Sequence, residues 1–477
     1  MRTYPHKDET IALALSTCFL IAFVLIAFFK EGTGDSGDSI EHFLISKFSF
    51  THPELFLHHW GKPVFILLSS PFSQFGFTGI KIFNSLVAVL SGYFTYKTAA
   101  RLRILHPYLS VFFLFGAPVY FIYIFSGMTE HLLGLALILS VYLIMKGKII
   151  PSLLLVSFMP FMRSEGIVLI LVFALFLLIK KKYRYLPLLL TGHIIYSLLG
   201  YFHYGDFLWI FNRIPYLKMG SAYGAGNWSD FIFKLYYVLG MPLFILLIAG
   251  LVPCILKCLK RNNLTSADLF AEELFLIYGS FAGFFIAHSL FWALGIFNSM
   301  GLGRVLNSVV PLAAIIGMRG LEWISSTRYP RINKAFAYGV TLFVILFPFL
   351  GNPASVKWNK DLDLTPDQQL IDQIIPKIKS PVPGTLYLYS HPYIGMKLGI
   401  DPFEPEQRGK IARIKHPGSL PRETVVIWDS WFSVTEEGYL YDLILSYDFL
   451  ERTATWTSPE DPEKKIMVFR LRETTCK

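Results

Sequence analysis

The chain has 477 residues, 54% of them hydrophobic and 16% aromatic, with a formal net charge of +10. A mean hydropathy of +0.50 is more apolar surface than a water-soluble fold can bury, so the composition excludes an ordinary soluble protein and predicts a polytopic α-helical membrane protein. The Lys and Arg residues cluster in short loops between apolar segments, which is the pattern of membrane topology, and nucleic acid is excluded as a partner.

The first apolar segment, 11–29, carries no charge and is not followed by a small-residue cleavage site. It reads as a retained membrane helix and not a removed signal peptide. The loop 30–62 follows, opening on "GTGDSGDSIEHF". Asp35, Asp38 and Glu41 fall within seven positions there. Beyond the Gly- and Ser-rich start, Ile40, Phe43 and Leu44 predict an amphipathic helix on the membrane surface, with Asp38, Glu41 and His42 on one face. That arrangement suits a carboxylate acting as general base among neighbours that tune it; the alternative is a solvated acidic loop with Asp38 as a helix cap.

Ten more apolar segments are predicted, at 77–96, 107–125, 130–146, 149–162, 165–180, 185–202, 232–256, 273–294, 304–318 and 335–350, about eleven transmembrane helices in all. The basic stretches "YKTAARLR", "KGK", "KKKYR", "KCLKR" and "RGLEWISSTRYPRINK" fall on one side if the N-terminus is cytoplasmic and the C-terminus extracytoplasmic. Three cations remain on the other side: Lys62 in "HHWGKP", Arg163 in "FMRSEG" beside Glu165, and Arg304 in "SMGLGRVLNSVVP". Cations there are costly without a task, so together with the acidic loop they predict an anion site at the rim of the bundle. An Arg163–Glu165 pair that only braces the bundle is the competing reading for that residue. Such a rim can hold a phosphate leaving group while a carboxylate deprotonates an acceptor hydroxyl.

From 351 the regime changes, with frequent Pro, Asp, Glu and Lys. "TLYLYS" and "TVVIWDS" read as buried strands and 365–379 and 435–446 as helices, so the expected division is a membrane domain, 1–350, and a small extracytoplasmic α/β domain, 351–477. The four cysteines, Cys18, Cys254, Cys258 and Cys476, read as unpaired thiols. His42, His52, His58 and His59 are irregularly spaced and read as interfacial histidines, not a zinc site. Asn227 in "NWS" is a glycosylation pattern on the outer side, and Asn263 in "NLT" falls on the inner side. Asp429, between Trp428 and Trp431, reads as a turn aspartate at a strand end, with a sugar contact as the alternative.

Three stretches, "DSIEHF…HHWGKPVFILLSSPFSQFG", "FMRSEGIVLILVF" and "GRVLNSVVPLAAIIG", resemble membrane glycosyltransferases of the GT-C superfamily, of the protein O-mannosyltransferase and lipid A aminoarabinose transferase type. The resemblance implies a GT-C-like fold over residues 1–350 and a sugar on a polyprenyl phosphate as donor. It also implies an acceptor hydroxyl on a glycan, lipid or protein, and inversion in a single displacement. Asp38 takes the place of the family's loop aspartate base, with Asp35 the alternative because the adjacent Asp-Glu pair is missing here. Lys62 takes the place of the lysine near the donor phosphate, and Arg163 and Arg304 those of phosphate or structural contacts; beside them His42 and Glu165 are candidates for acceptor contact or support. The implied class is a hexosyltransferase, with mannose one candidate. No metal is required, although a divalent cation on Asp35, Asp38 and Glu41 is an option known among family cousins. The expected location is the bacterial inner membrane. Competing readings are a secondary transporter and a non-catalytic envelope-polysaccharide assembly protein.

Overall fold

A computed structural model describes residues 5–214, 224–260, 269–325, 330–350, 361–378 and 384–472. The chain is mainly helical, and six helical stretches are long and apolar enough to cross a membrane: Lys7–Phe29, Gly76–Arg101, Tyr183–Tyr204, Asp230–Leu259, Leu269–Ala293 and Gly303–Ile324. Five shorter apolar helices pack among them, including Pro63–Ser73, Glu130–Met145 and Gly166–Ile179. The protein is an integral membrane protein.

The expected segments differ from the observed helices where backbone chemistry intervenes. The segment 107–125 is two short helices, α5 (Leu109–Phe115) and α6 (Pro118–Tyr123), broken at Gly116–Ala117 by a proline that opens the second. In chain order before them are α1 (Pro5–Phe29), α2 (Asp38–Phe48), α3 (Pro63–Ser73) and α4 (Gly76–Arg101). α3 was not expected: at eleven residues, with Pro71 inside, "PVFILLSSPFS" is too short to read as a span. After them come α7 (Glu130–Met145), α8 (Ile149–Ser157) and α9 (Gly166–Ile179). α10 (Thr191–Tyr204), α11 (Trp209–Asn212) and α12 (Asp230–Leu259) follow. α12 is interrupted at Gly240, whose φ of 71° only glycine adopts readily. The span 269–293 carries a π stretch at Glu273–Tyr278.

The element Gly303–Ile324 begins as a 3₁₀ turn and continues as α13 (Val310–Ile324). It crosses α12 at small-residue contact: a Cβ on Gly320 would meet the Leu246 carbonyl oxygen at 1.9 Å, and one on Gly250 the Ile316 oxygen at 2.0 Å. Such close backbone approach is how membrane helices gain packing without hydrophobic drive.

The expected domain boundary falls beside 351–360, outside the described residues. Beyond it lie α14 (Pro366–Ile378), which matches the predicted helix, and a five-stranded sheet in the order β2-β1-β3-β5-β4. β1 (Leu386–Tyr389) and β3 (Thr424–Asp429) are the two strands read from sequence, and both are fully buried. β2 (Arg408–Gly409) and β1 pair in parallel, as do β1 and β3, whereas β4 (Leu450–Thr457) and β5 (Lys465–Leu471) run antiparallel. The helix expected over 435–446 is only the short turn Tyr441–Leu445.

The sheet region docks on the first loop. Gly32 N–H donates to the Leu362 carbonyl at 3.0 Å, Gln368 Nε2 to Thr33 Oγ1 at 2.7 Å, and Lys30 pairs with Asp363 at 2.8 Å. These contacts place the first loop and the sheet at one end of the bundle. Cys18, Cys254 and Cys258 are free thiols, and Cys476 and Asn263 lie outside the described residues.

Candidate functional site

At that end the bundle and the sheet region enclose a cavity of about 1870 Å³. Its bundle wall brings together the eight residues given a catalytic, phosphate-binding or supporting role from sequence: Asp35, Asp38, Glu41, His42, Lys62, Arg163, Glu165 and Arg304. Residues that are distant in sequence therefore meet as the charge argument requires.

The acidic loop is built from the backbone upward. Asp35 Oδ1 accepts from the amides of Gly37 and Ser39, both at 3.0 Å, and so folds the loop back to start α2 at Asp38. Ser39 Oγ donates to the Thr33 carbonyl and accepts from Gly127 N–H at 2.7 Å. Position 127 must be glycine, because a Cβ there would lie 2.1 Å from the Ser39 carbonyl oxygen. The start of α2 is thus pinned to the turn before α7. His42 is buried, bonded through Nδ1 to the Gly127 carbonyl at 3.1 Å, and burial pushes it down to about 4, so it is neutral at pH 7.

Arg304, at the start of Gly303–Ile324, pairs with both Asp35 and Asp38. Arg163 reaches Glu130 Oε1 and Glu165 Oε1, each at 2.8 Å. Glu130 is the residue sequence reading missed. It opens α7, is 1% exposed, and lies between the guanidiniums, with Arg304 Nε 3.9 Å from its Oε1. Its signal was visible: an ionisable group at the head of an apolar helix is costly unless it is used. Both arginines are therefore engaged with carboxylates, and the Arg163–Glu165 pair is part of a larger network, not an isolated brace. Lys62 Nζ donates to Ser164 Oγ at 3.0 Å and to the His59 carbonyl at 3.1 Å.

The carboxyls differ in their tuning. For Asp38, desolvation raises the pKa, but the Arg304 guanidinium, helped by His42 and Arg163, outweighs it and holds the group below the ordinary range. Asp35 goes the other way: desolvation, with the charge of Asp38 added, outweighs the pull of Arg304. Glu41 is pushed up to about 7 by desolvation and then by Asp38, against the pull of Arg408 from the sheet side. A divalent cation on Asp35, Asp38 and Glu41 does not fit, because the guanidinium of Arg304 already lies against the first two.

The other wall is amphipathic. Arg408, Lys410, Glu436 and Trp431 come from the sheet region, whereas Ile122, Tyr123, Phe161, Phe231 and Phe291 give an apolar flank. Asp429 is not among the lining residues; its carboxylate accepts from the amides of Trp431, Phe432 and Ser433, which makes it a turn aspartate. Of the four histidines weighed as zinc ligands, three point elsewhere: His42 to Gly127, His58 to Gly61, and His59 to the Ile210 carbonyl at 2.9 Å.

No family model matches the sequence, and no curated protein matches it. The fold does have solved counterparts. ArnT from Cupriavidus metallidurans bound to undecaprenyl phosphate is similar with a TM-score of 0.58 and 11% identity, over 96% of this chain and 97% of that one. The same protein in the apo state is similar with a TM-score of 0.56, over 96% and 98%. The fold is therefore ArnT-like over nearly the whole length of both chains.

Proposed function

We propose that the protein is a membrane glycosyltransferase that moves a sugar from a polyprenyl-phosphate donor to an acceptor hydroxyl, at the membrane face where the first loop and sheet lie. The ArnT-like fold, shared with a structure that holds undecaprenyl phosphate, carries this reading. The cavity supports it. A pocket for one small ligand spans about 300–1,000 Å³, and this one, at about 1870 Å³, has room for a donor head group and an acceptor together. Its apolar flank suits the lipid.

In the reaction the acceptor oxygen attacks the anomeric carbon as the bond from that carbon to the lipid phosphate oxygen breaks, so the configuration inverts. The acceptor proton passes to a carboxylate, and the electron pair leaves with the phosphate. Asp38 takes the proton and stays charged at neutral pH because of Arg304. Lys62 meets the departing phosphate as a point charge. Arg304, Arg163 and Glu130 hold the acids and Glu165 in place, a positioning role. A second reading gives the proton to Glu41, whose pKa of about 7 matches a general base at neutral pH. The site face is taken to be extracytoplasmic, as the basic loops suggest. The fold favours no particular sugar or acceptor.

The test offers purified protein a panel of polyprenyl-phosphate sugars, mannose and aminopentose donors among them, with envelope extract as acceptor. Release of free polyprenyl phosphate that disappears in Asp38→Asn supports the reading. No release from any donor, with or without acceptor, would sink it and revive the transporter and assembly-protein readings.

A further inference from the structure

A second cluster of ligating side chains stands outside the cavity. His52, four residues past the end of α2, meets Asp401 and Glu404 from the segment just before β2. One ligand atom from each lies within 4.8 Å of the others. His52 Nε2 is 2.9 Å from Asp401 Oδ2 and 3.6 Å from Glu404 Oε1. Tetrahedral ligands about 2 Å from a zinc ion are roughly 3.3 Å apart, so these spacings bracket the required one. A simple ion pair accounts for one carboxylate at the imidazole but gives no reason for a second at the same nitrogen.

The surroundings hold the three in that posture. Asp401 Oδ1 accepts from Phe403 N–H at 2.9 Å, which leaves Oδ2 for the site. The other imidazole nitrogen, Nδ1, faces Glu54 Oε1 at 3.7 Å. That distance is beyond a hydrogen bond, so Glu54 adds negative charge beside the ring without fixing it.

We propose that His52, Asp401 and Glu404 bind one divalent cation of the zinc class, with a fourth position open to water. The ion would fasten the loop after α2, the helix that carries Asp38 and Glu41, to the strand that carries Arg408. It would thereby fix the spacing of two cavity walls without lining the cavity itself.

The test strips the full-length purified protein with a chelator and titrates it with Zn²⁺ alone. It reads metal per chain by plasma emission and the thermal midpoint in detergent. The expected result is one equivalent bound and a raised midpoint, both lost in His52→Gln and in Asp401→Asn. If the variants do not fold, X-ray absorption at the zinc edge of the wild type should show one imidazole and two carboxylate oxygens. No bound zinc, an equivalent that survives both folded variants, or a spectrum without imidazole would overturn the proposal and leave an ion pair. The readout is metal content, so it does not depend on glycosyl transfer.

Discussion

Arg304 and Arg319 stand toward opposite ends of one element, Gly303–Ile324, and each meets two or more carboxylates, one of them buried: Glu130 for Arg304 and Glu273 for Arg319. All three nitrogens of Arg319 are hydrogen-bonded. Its Nε and Nη2 donate to Glu273 at 2.7 and 3.0 Å, Nη1 to Glu322 at 2.8 Å, and Nη2 also to the Leu102 carbonyl at 3.1 Å. It faces no cavity. At the other end Arg304 Nε, Arg163 Nε and Glu130 Oε2 are buried without a hydrogen-bond partner among the described residues, Glu130 Oε1 has only its ion-pair contacts, and both arginines line the large cavity. A brace has a protein partner for every nitrogen; a site keeps capacity in reserve for a ligand or water.

The largest expected effect separates the two ends. Removing one partner of a buried ion pair typically costs about 3–5 kcal/mol, because a charge is left uncompensated. Arg319→Met should lose stability on that scale, measured as a lower thermal midpoint, while the protein that remains folded keeps its turnover. Arg304→Met should abolish turnover even in folded protein, since it frees Asp35 and Asp38 from their shared partner. Equal turnover in the two variants, per folded molecule, would erase the distinction between brace and site.

Next comes the acid itself. Asp38→Asn keeps shape and removes a base, so turnover should fall by about 10²–10⁴-fold, with donor binding little changed. Asp35→Asn should fall less, because its main visible work is to accept the Gly37 and Ser39 amides. A reversed order would move the base to Asp35, the alternative that the split acidic pair leaves open.

Much of this site was legible. The cost of a cation at the rim of an apolar bundle singled out Lys62, Arg163 and Arg304, the dense acidic loop singled out Asp35, Asp38 and Glu41, and all six line one cavity. Sequence reading also grouped them at one end. What it could not supply was pairing: Arg304 meets Asp35 across 269 positions, and no local spacing encodes that. It missed α3 because a proline-interrupted segment of eleven residues is shorter than a span, and it merged α5 and α6 because hydropathy does not register the turn at Pro118. His52 was read with its histidine neighbours, whereas its partners come from beyond residue 400.

A pH profile sharpens the division of labour among the acids. Asp38 lies below its ordinary value, so its carboxylate stays charged as pH falls from 8 to 5, and turnover should be flat there. Glu41, at about 7, is raised above its unfolded value. It binds its proton as pH falls through about 7, and the folded state gains relative stability from there down toward the ordinary glutamate value of 4.5. An acid limb near 7 that vanishes in Glu41→Gln would transfer the base role from Asp38 to Glu41.

The smallest effect belongs to Lys62. Its φ of 64° is unusual for a residue with a Cβ, and Pro63 behind it bars the helical region. Such backbone is held at a cost of about 1–3 kcal/mol and persists where the surroundings demand it, commonly at functional positions. If the strain serves to aim the ammonium at a phosphate, Lys62→Gln should raise the donor KM by about tenfold, the loss of one charge-assisted contact, and spare stability. Lys62→Gly would relieve the strain and raise the thermal midpoint while weakening donor handling as much. That opposite movement of stability and KM is what a residue kept for its charge should show; a Lys62→Gly variant that keeps the wild-type KM would reduce Lys62 to a capping position at the head of α3.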